Sequence, residues 1–165
     1  MREETKYIVI HCSQTRPSQN WGAKEIDRLH RTNGWLKIGY GTVIKRDGEV
    51  QQGRQDNEVQ AHVKGYNHNS FGVCLVGGAK EENWKLEDDN FTGEQFESLK
   101  KELTRLILKY PDARIVGHRE LDNKKFCPSF DVRQYLLNED IPNYKFQDGL
   151  TSETDLQELR DDGTI

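Results

Sequence analysis

The sequence predicts an α/β fold, a single domain with a mixed central β-sheet flanked by helices. Three observations predict it. Apolar runs at Tyr7-Ile8-Val9-Ile10, Phe71-Gly72-Val73-Cys74-Leu75-Val76 and Ala113-Arg114-Ile115-Val116 have the length and β-branched content of strands. Between them lie segments whose apolar residues recur at helical spacing. Asp47-Gly48, set between Thr42-Val43-Ile44-Lys45-Arg46 and Glu49-Val50, is a strong short-range hairpin signal, so part of the sheet is antiparallel. Strands alternating with helices, plus one hairpin, give a mixed sheet with helical cover.

The first strand, over residues 7–10, ends at His11 and Cys12, neighbours that must point to opposite faces. If His11 faces a site, Cys12 faces the core. Residues 13–20 are polar around Pro17 and read as a loop. A helix is predicted over 21–32, with apolar residues at Trp21, Ile26 and Leu29, Asn20 as its N-cap and Gly34 beyond its end. His30 would then face solvent. Residues 54–70 are polar without a sustained period and read as an irregular surface segment carrying His62 and His68.

After the strand over 71–76, residues 79–91 read as an acidic loop. Thr92-Gly93-Glu94-Gln95 fits a capping box. Phe96, Leu99, Leu103, Leu106, Ile107 and Tyr110 then trace one helical face, stopped by Pro111. A strand over 113–116 leads to His118, and residues 131–137 read as a last short helix. The domain is expected to span 1–138. Residues 139–165 form an acidic C-terminal tail, either a weak helix over 152–160 or disordered.

The chain has 165 residues, enough for a core without disulfide staples. Its net charge of −4 offers no general basic field, so no nucleic acid partner is expected. The three cysteines, at 12, 74 and 127, are an odd and scattered set, which suggests a reducing compartment rather than a disulfide framework. Residues 1–6 lack an apolar signal core, and no stretch approaches the roughly 20 apolar residues of a membrane helix. Synthesis in the cytoplasm without membrane insertion is the expectation.

Gly117-His118-Arg119-Glu120 and Cys127-Pro128-Ser129-Phe130 bracket two possible metal ligands after a strand, and His11 ends another strand. Taken singly, each is weak: a histidine after a strand is usually a polar or capping group, and a cysteine before proline a small buried one. Together, His11, His118 and Cys127 make a three-ligand set for one zinc ion with a fourth position left for water. A structural zinc usually takes four protein ligands, and no obvious fourth stands in the sequence. Ligands in open sheets of this kind sit beyond strand ends, where both histidines fall.

Further stretches sharpen this reading: Val9-Ile10-His11-Cys12-Ser13, Gly34-Trp35-Leu36, Gly39-Tyr40, Lys45-Arg46-Asp47-Gly48, Lys64-Gly65-Tyr66-Asn67-His68-Asn69-Ser70, Gly72-Val73-Cys74-Leu75-Val76-Gly77-Gly78 and Cys127-Pro128-Ser129-Phe130-Asp131. In these, over residues 6–137, the sequence resembles the zinc-dependent N-acetylmuramoyl-L-alanine amidases. That family includes the peptidoglycan recognition proteins, and the resemblance is greatest to its lysozyme-type phage amidases, the endolysins. It implies the amidase fold, one zinc ion on His11, His118 and Cys127, and Tyr40 and Lys125 as catalytic side chains beside it. Without the resemblance, Tyr40 reads as a strand-edge aromatic and Lys124-Lys125 as a solvated pair. The stretch around Gly65-Tyr66-Asn67 resembles a substrate-groove wall, which makes His62, Asn67 and His68 candidate substrate contacts. The pattern departs at Gly41, where the phage relatives have histidine. It departs again in a His118–Cys127 interval one residue longer, which a turn at Asp122-Asn123 accommodates.

The implied function is a peptidoglycan hydrolase that cleaves the amide between N-acetylmuramic acid and L-alanine. As a phage or prophage endolysin it would be monomeric, made in the host cytoplasm, and reach the wall after the membrane is breached. Two alternatives belong to other classes. A muropeptide-binding module would hold the same ligand without cutting it; its non-catalytic relatives lack the cysteine that Cys127 supplies. A regulator of a protein partner is suggested by the phage relatives, one of which restrains its phage's RNA polymerase.

Overall fold

The computed structural model describes residues 1–146. The helix expected over 152–160 lies outside the described residues. In chain order the elements are β1 (Tyr7–Cys12), α1 (Ala23–Thr32), β2 (Thr42–Ile44), β3 (Val50–Gln52), β4 (Ser70–Leu75), β5 (Ala79–Lys80), β6 (Asn83–Glu87), α2 (Gly93–Lys109), β7 (Arg114–Gly117), α3 (His118–Leu121) and α4 (Val132–Glu139). The five-stranded sheet runs β3-β2-β4-β1-β7. β1 is parallel to both β4 and β7, β2 is parallel to β4, and β2–β3 is the antiparallel hairpin. The sheet is therefore mixed, as its sequence predicts.

Alternation along the strands divides the chemistry. Ile8, Ile10, Phe71, Val73 and Leu75 point to one face, where Leu99, Leu103, Leu106 and Ile107 of α2 and Val132 and Leu136 of α4 cover them. The opposite face carries Val9 and His11 of β1, Ser70, Gly72 and Cys74 of β4, and Val116 of β7. Over part of it lie Ile26 of α1 and Ile38, which pack with Val43 and Cys74. Residues 54–69 cross the rest, where Val63 packs with Val9 and Val116. One face thus carries the larger apolar cluster, and the other carries His11, Ser70 and Cys74 beneath α1 and residues 54–69.

The capping box at the start of α2 forms: Gln95 N donates to Thr92 Oγ1 (3.1 Å) and Thr92 N donates to Gln95 Oε1 (3.0 Å). Asp131 caps α4 through Gln134 N (3.1 Å). Four expectations are corrected. α1 begins at Ala23, with Gly22 rather than Asn20 at its N-cap, because Gln51 of the hairpin accepts Ala23 N–H (2.7 Å) and supplies the cap from elsewhere in the chain. A side chain at residue 22 would meet that same Gln51 Oε1 at 2.6 Å. His30 is buried, one turn after buried Ile26, and its Nδ1 accepts from Gly39 N (3.0 Å). Residues 79–91 include a two-stranded ribbon, β5–β6, whose β6 residues are all exposed; no burial pattern announced it. The packed body also passes residue 138, since Ile141 is buried, and Tyr144 Oη, packed on the core, accepts from Ile115 N (3.1 Å).

Candidate active site

Sheet register places the two histidines side by side. β1 and β7 are parallel neighbours, with Ile10 opposite Gly117, so the residues that follow, His11 near the end of β1 and His118 just past β7, stand side by side at the same end of the sheet. Their rings lie 4.6 Å apart between centroids. Cys127 reaches the same point from the segment after α3, which is tied back when Arg119 N donates to the Cys127 carbonyl (2.9 Å). The ligand atoms of His11, His118 and Cys127 all lie within 4.8 Å of one another. Among the described residues no fourth His, Cys, Asp or Glu joins this group.

The donor set fits zinc. Cys127 Sγ stands 3.8 Å from His11 Nδ1. A tetrahedral centre with Zn–N and Zn–S bonds of about 2.0 and 2.3 Å separates its N and S ligands by roughly 3.5 Å. The backbone N–H of Cys12 donates to Cys127 Sγ (3.1 Å), a bond that favours a thiolate. Burial pushes the Cys127 thiol well up, so it stays protonated until a cation arrives. Burial also drives His11 well down, aided by His62 and His118, while His118 is lowered by burial against the opposing pull of Asp122. Both imidazoles are therefore neutral at pH 7, the form that binds metal.

The trio sits in a cavity of ≈ 690 Å³. Tyr40, Lys125, Asn67 and His62 also line it, as do Trp35 and Asp122. The Tyr40 ring lies 5.0 Å from that of His11 and packs against the apolar cluster that holds Cys74. Burial raises Tyr40 well above the usual phenol value, so it remains a proton donor. Lys125 is exposed on a turn in which its N–H donates to the Asp122 carbonyl (3.1 Å) and Lys124 N–H donates to Asp122 Oδ1 (3.1 Å). The turn falls where Asp122-Asn123 was expected to make it.

The three expected substrate contacts separate. His62 is buried behind His11, its Nδ1 2.8 Å from His11 Nε2, and burial lowers it to about 3. Its segment is not the surface stretch its polarity suggested. Asn67 lines the cavity but spends its side-chain carbonyl on the backbone N–H groups of His62 (2.8 Å) and Val63 (2.9 Å). His68 is exposed and lies outside the cavity lining. Sequence reasoning missed Ser70, whose Oγ is 3.1 Å from His62 Nε2. The available signal was a serine that shares its strand face with Gly72 and Cys74 in an otherwise apolar run.

The fold thus sets two imidazoles and a thiol close enough to bind a metal at strand ends, and comparison with known proteins assigns the family. The profile of the N-acetylmuramoyl-L-alanine amidase family matches residues 1–130. The endolysin of Escherichia phage T7 is 48% identical over 134 residues, covering 81% of this chain and 87% of that protein. The endolysin of Enterobacteria phage T3 is 46% identical over the same shares. Among solved structures, the N-acetylmuramoyl-L-alanine amidase LysC of Clostridium intestinale superposes with a TM-score of 0.70 at 27% identity, over 84% of this chain and 87% of that one. A Drosophila PGRP-LB mutant in complex with tracheal cytotoxin shares the fold, with a TM-score of 0.66 at 23% identity over 87% and 85% of the two chains. The chain belongs to the N-acetylmuramoyl-L-alanine amidase family. It carries the amidase activity that defines the family, of the kind found in phage endolysins.

Proposed function

We propose that the chain holds one zinc ion on His11, His118 and Cys127 and cleaves the amide between N-acetylmuramic acid and L-alanine in peptidoglycan. The observation that carries this is the convergence of three ligand atoms within 4.8 Å on the wall of a cavity large enough for a muropeptide. Two imidazoles and one thiolate make the three-ligand set of a catalytic site. When bound, zinc supplies Lewis-acid chemistry, polarising a carbonyl and lowering the pKa of water to about 7.

The chain's own groups do the rest. Lys125, at the cavity edge and close enough to His118 to lower it, places a cation where negative charge develops on the scissile carbonyl oxygen. Tyr40 keeps its proton and can donate to the attacked group or the departing amine. Trp35, 43% exposed at the cavity wall, offers an apolar surface to the substrate. Among the described residues no helix is long and apolar enough to cross a membrane. We assign the protein to the host cytoplasm until the membrane is breached, acting as a monomer on the wall.

Mass analysis of digested peptidoglycan tests this. Free stem peptides beginning with L-alanine are expected, together with glycan strands bearing intact lactyl groups, and a chelator should suppress both. Glycan strands that keep their peptides under zinc-replete conditions would favour a muropeptide-binding module instead.

A further inference from the structure

We infer that His62 and Ser70 are positioning residues: with the Tyr66 carbonyl they form a hydrogen-bonded relay that holds His11 in the one tautomer able to present a bare Nδ1 to zinc. The inference rests on the proposed role of His11 as a metal ligand and assigns the groups that prepare it.

The relay is read from its far end, where the proton position is fixed. A backbone carbonyl can only accept, so the Ser70 hydroxyl, 2.6 Å from the Tyr66 carbonyl oxygen, gives its single proton to it. Ser70 Oγ then has only lone pairs to offer His62 Nε2 at 3.1 Å, and that nitrogen must carry hydrogen. In a neutral imidazole the other nitrogen is bare, so His62 Nδ1 accepts. The group 2.8 Å away is His11 Nε2, which must therefore donate. His11 Nδ1, the atom facing Cys127 Sγ, is left with its lone pair free. Three successive proton positions follow from one carbonyl that cannot donate.

The surroundings leave the relay little freedom. Ser70 is fully buried and His62 is 7% exposed, so water does not readily replace either partner. Asn67 accepts the N–H groups of His62 and Val63 and so fixes the backbone that carries the ring. On its other side the ring lies on Gly72 of β4: a Cβ there would meet His62 Cγ at 2.8 Å and Nδ1 at 2.9 Å. The absence of a side chain at residue 72 is what lets the ring reach both Ser70 and His11. Metal-bound histidines depend on such partners for tautomer and orientation, and losing one typically lowers metal affinity about 10–100-fold.

The experiment measures zinc affinity by competition with a chromophoric chelator, beside the tautomer of His11 by nitrogen-15 NMR on the zinc-free wild-type chain. The wild type should show hydrogen on Nε2 of His11. His62→Leu fills the space without an acceptor and should lose about 10–100-fold in zinc affinity. Ser70→Ala should lose a similar factor and shift His11 toward the Nδ1–H tautomer. His62→Gln offers a carbonyl to His11 and an amide to Ser70, and should stay within about threefold of wild type, a rescue that simple packing would not give. An Nδ1–H wild type, or Leu and Ala variants with wild-type affinity, would overturn the relay. The metal assignment fails separately: a wild type that takes up no zinc, or a Cys127→Ser variant that binds it equally well, would remove that reading first. If a variant fails to fold, the wild-type tautomer still decides the matter.

Discussion

Gln95 joins the first turn of α2 to the ends of two sheet strands, and replacing it should cost more than its place in a capping box suggests. It is fully buried. Its Nε2 donates to the carbonyls of Ile44 (3.1 Å) and Val76 (2.9 Å), and its Oε1 accepts Thr92 N–H (3.0 Å). Gln95→Met keeps the length and removes all three bonds. The Ile44 carbonyl retains Val76 N–H (3.0 Å), so the groups left without their partner are the Val76 carbonyl and Thr92 N–H. Each buried orphan costs about 1–3 kcal/mol, which gives roughly 2–6 kcal/mol, and water reaching the half-buried helix start points to about 3. With a urea slope of about 2 kcal/mol per molar, the unfolding midpoint should fall by roughly 1.5 M.

Gln95→Glu sharpens the test through pH. It keeps the acceptor for Thr92 but aims a carboxylate at two carbonyl oxygens, which raises its folded-state pKa above the usual value of about 4.3. A raised acid binds its proton more tightly in the folded state, so the penalty grows as pH rises above that value and is relieved below it. Unfolding followed by circular dichroism at pH 7 and near pH 4 measures both effects. A Met variant within about 0.3 M of wild type, or a Glu variant that weakens further on acidification, would refute the reasoning.

Three other outcomes are expected. Lys125→Met should lower kcat by about 10²–10³-fold while zinc content by elemental analysis stays stoichiometric, because the lysine acts on developing charge rather than on the metal. Zinc at about a hundredfold excess over its Kd should add about 2.7 kcal/mol, seen as a melting temperature roughly 5–10 °C above that of the chelated protein, and Cys127→Ser should abolish the difference. Asp56 is held below the usual carboxylate range first by Arg105 (2.7 Å) and also by Lys109 (2.9 Å), so its stabilisation is present above the unfolded value and lost as pH falls through the folded one. Asp56→Asn should cost roughly 1 kcal/mol at pH 7 in chemical denaturation, and the gap to wild type should close below about pH 3.9.

The parts of the chain that were readable are those where local chemistry and tertiary packing agree. Asp47-Gly48 specifies its hairpin through glycine's left-handed backbone, φ +90°, and needs no distant partner. The capping box at Thr92 and Gln95 and the apolar face behind it likewise act within one helix. Asn20 failed as a cap because Gln51, from another element, occupies the position that the local rule gives to a neighbour. His30 misled because polarity says nothing about a side chain whose ring nitrogen finds a backbone N–H across a loop. The same blindness hid Ser70 and put His62 on the surface: both are polar residues satisfied by each other, and pairing over eight residues leaves no periodic trace.

By itself the sequence determined the strands of the central sheet, its hairpin and the main helix, and it supplied two imidazoles, a thiol and a lysine after apolar runs. Strand and helix identity depends on side-chain period, which is written residue by residue. Only the tertiary structure decided that His11 and His118 stand side by side at one end of adjacent parallel strands in matching register, and that Cys127 folds back beside them. It alone placed His62 behind His11, within hydrogen-bonding distance of its ring, because strand order and register are set by packing between segments far apart in the chain.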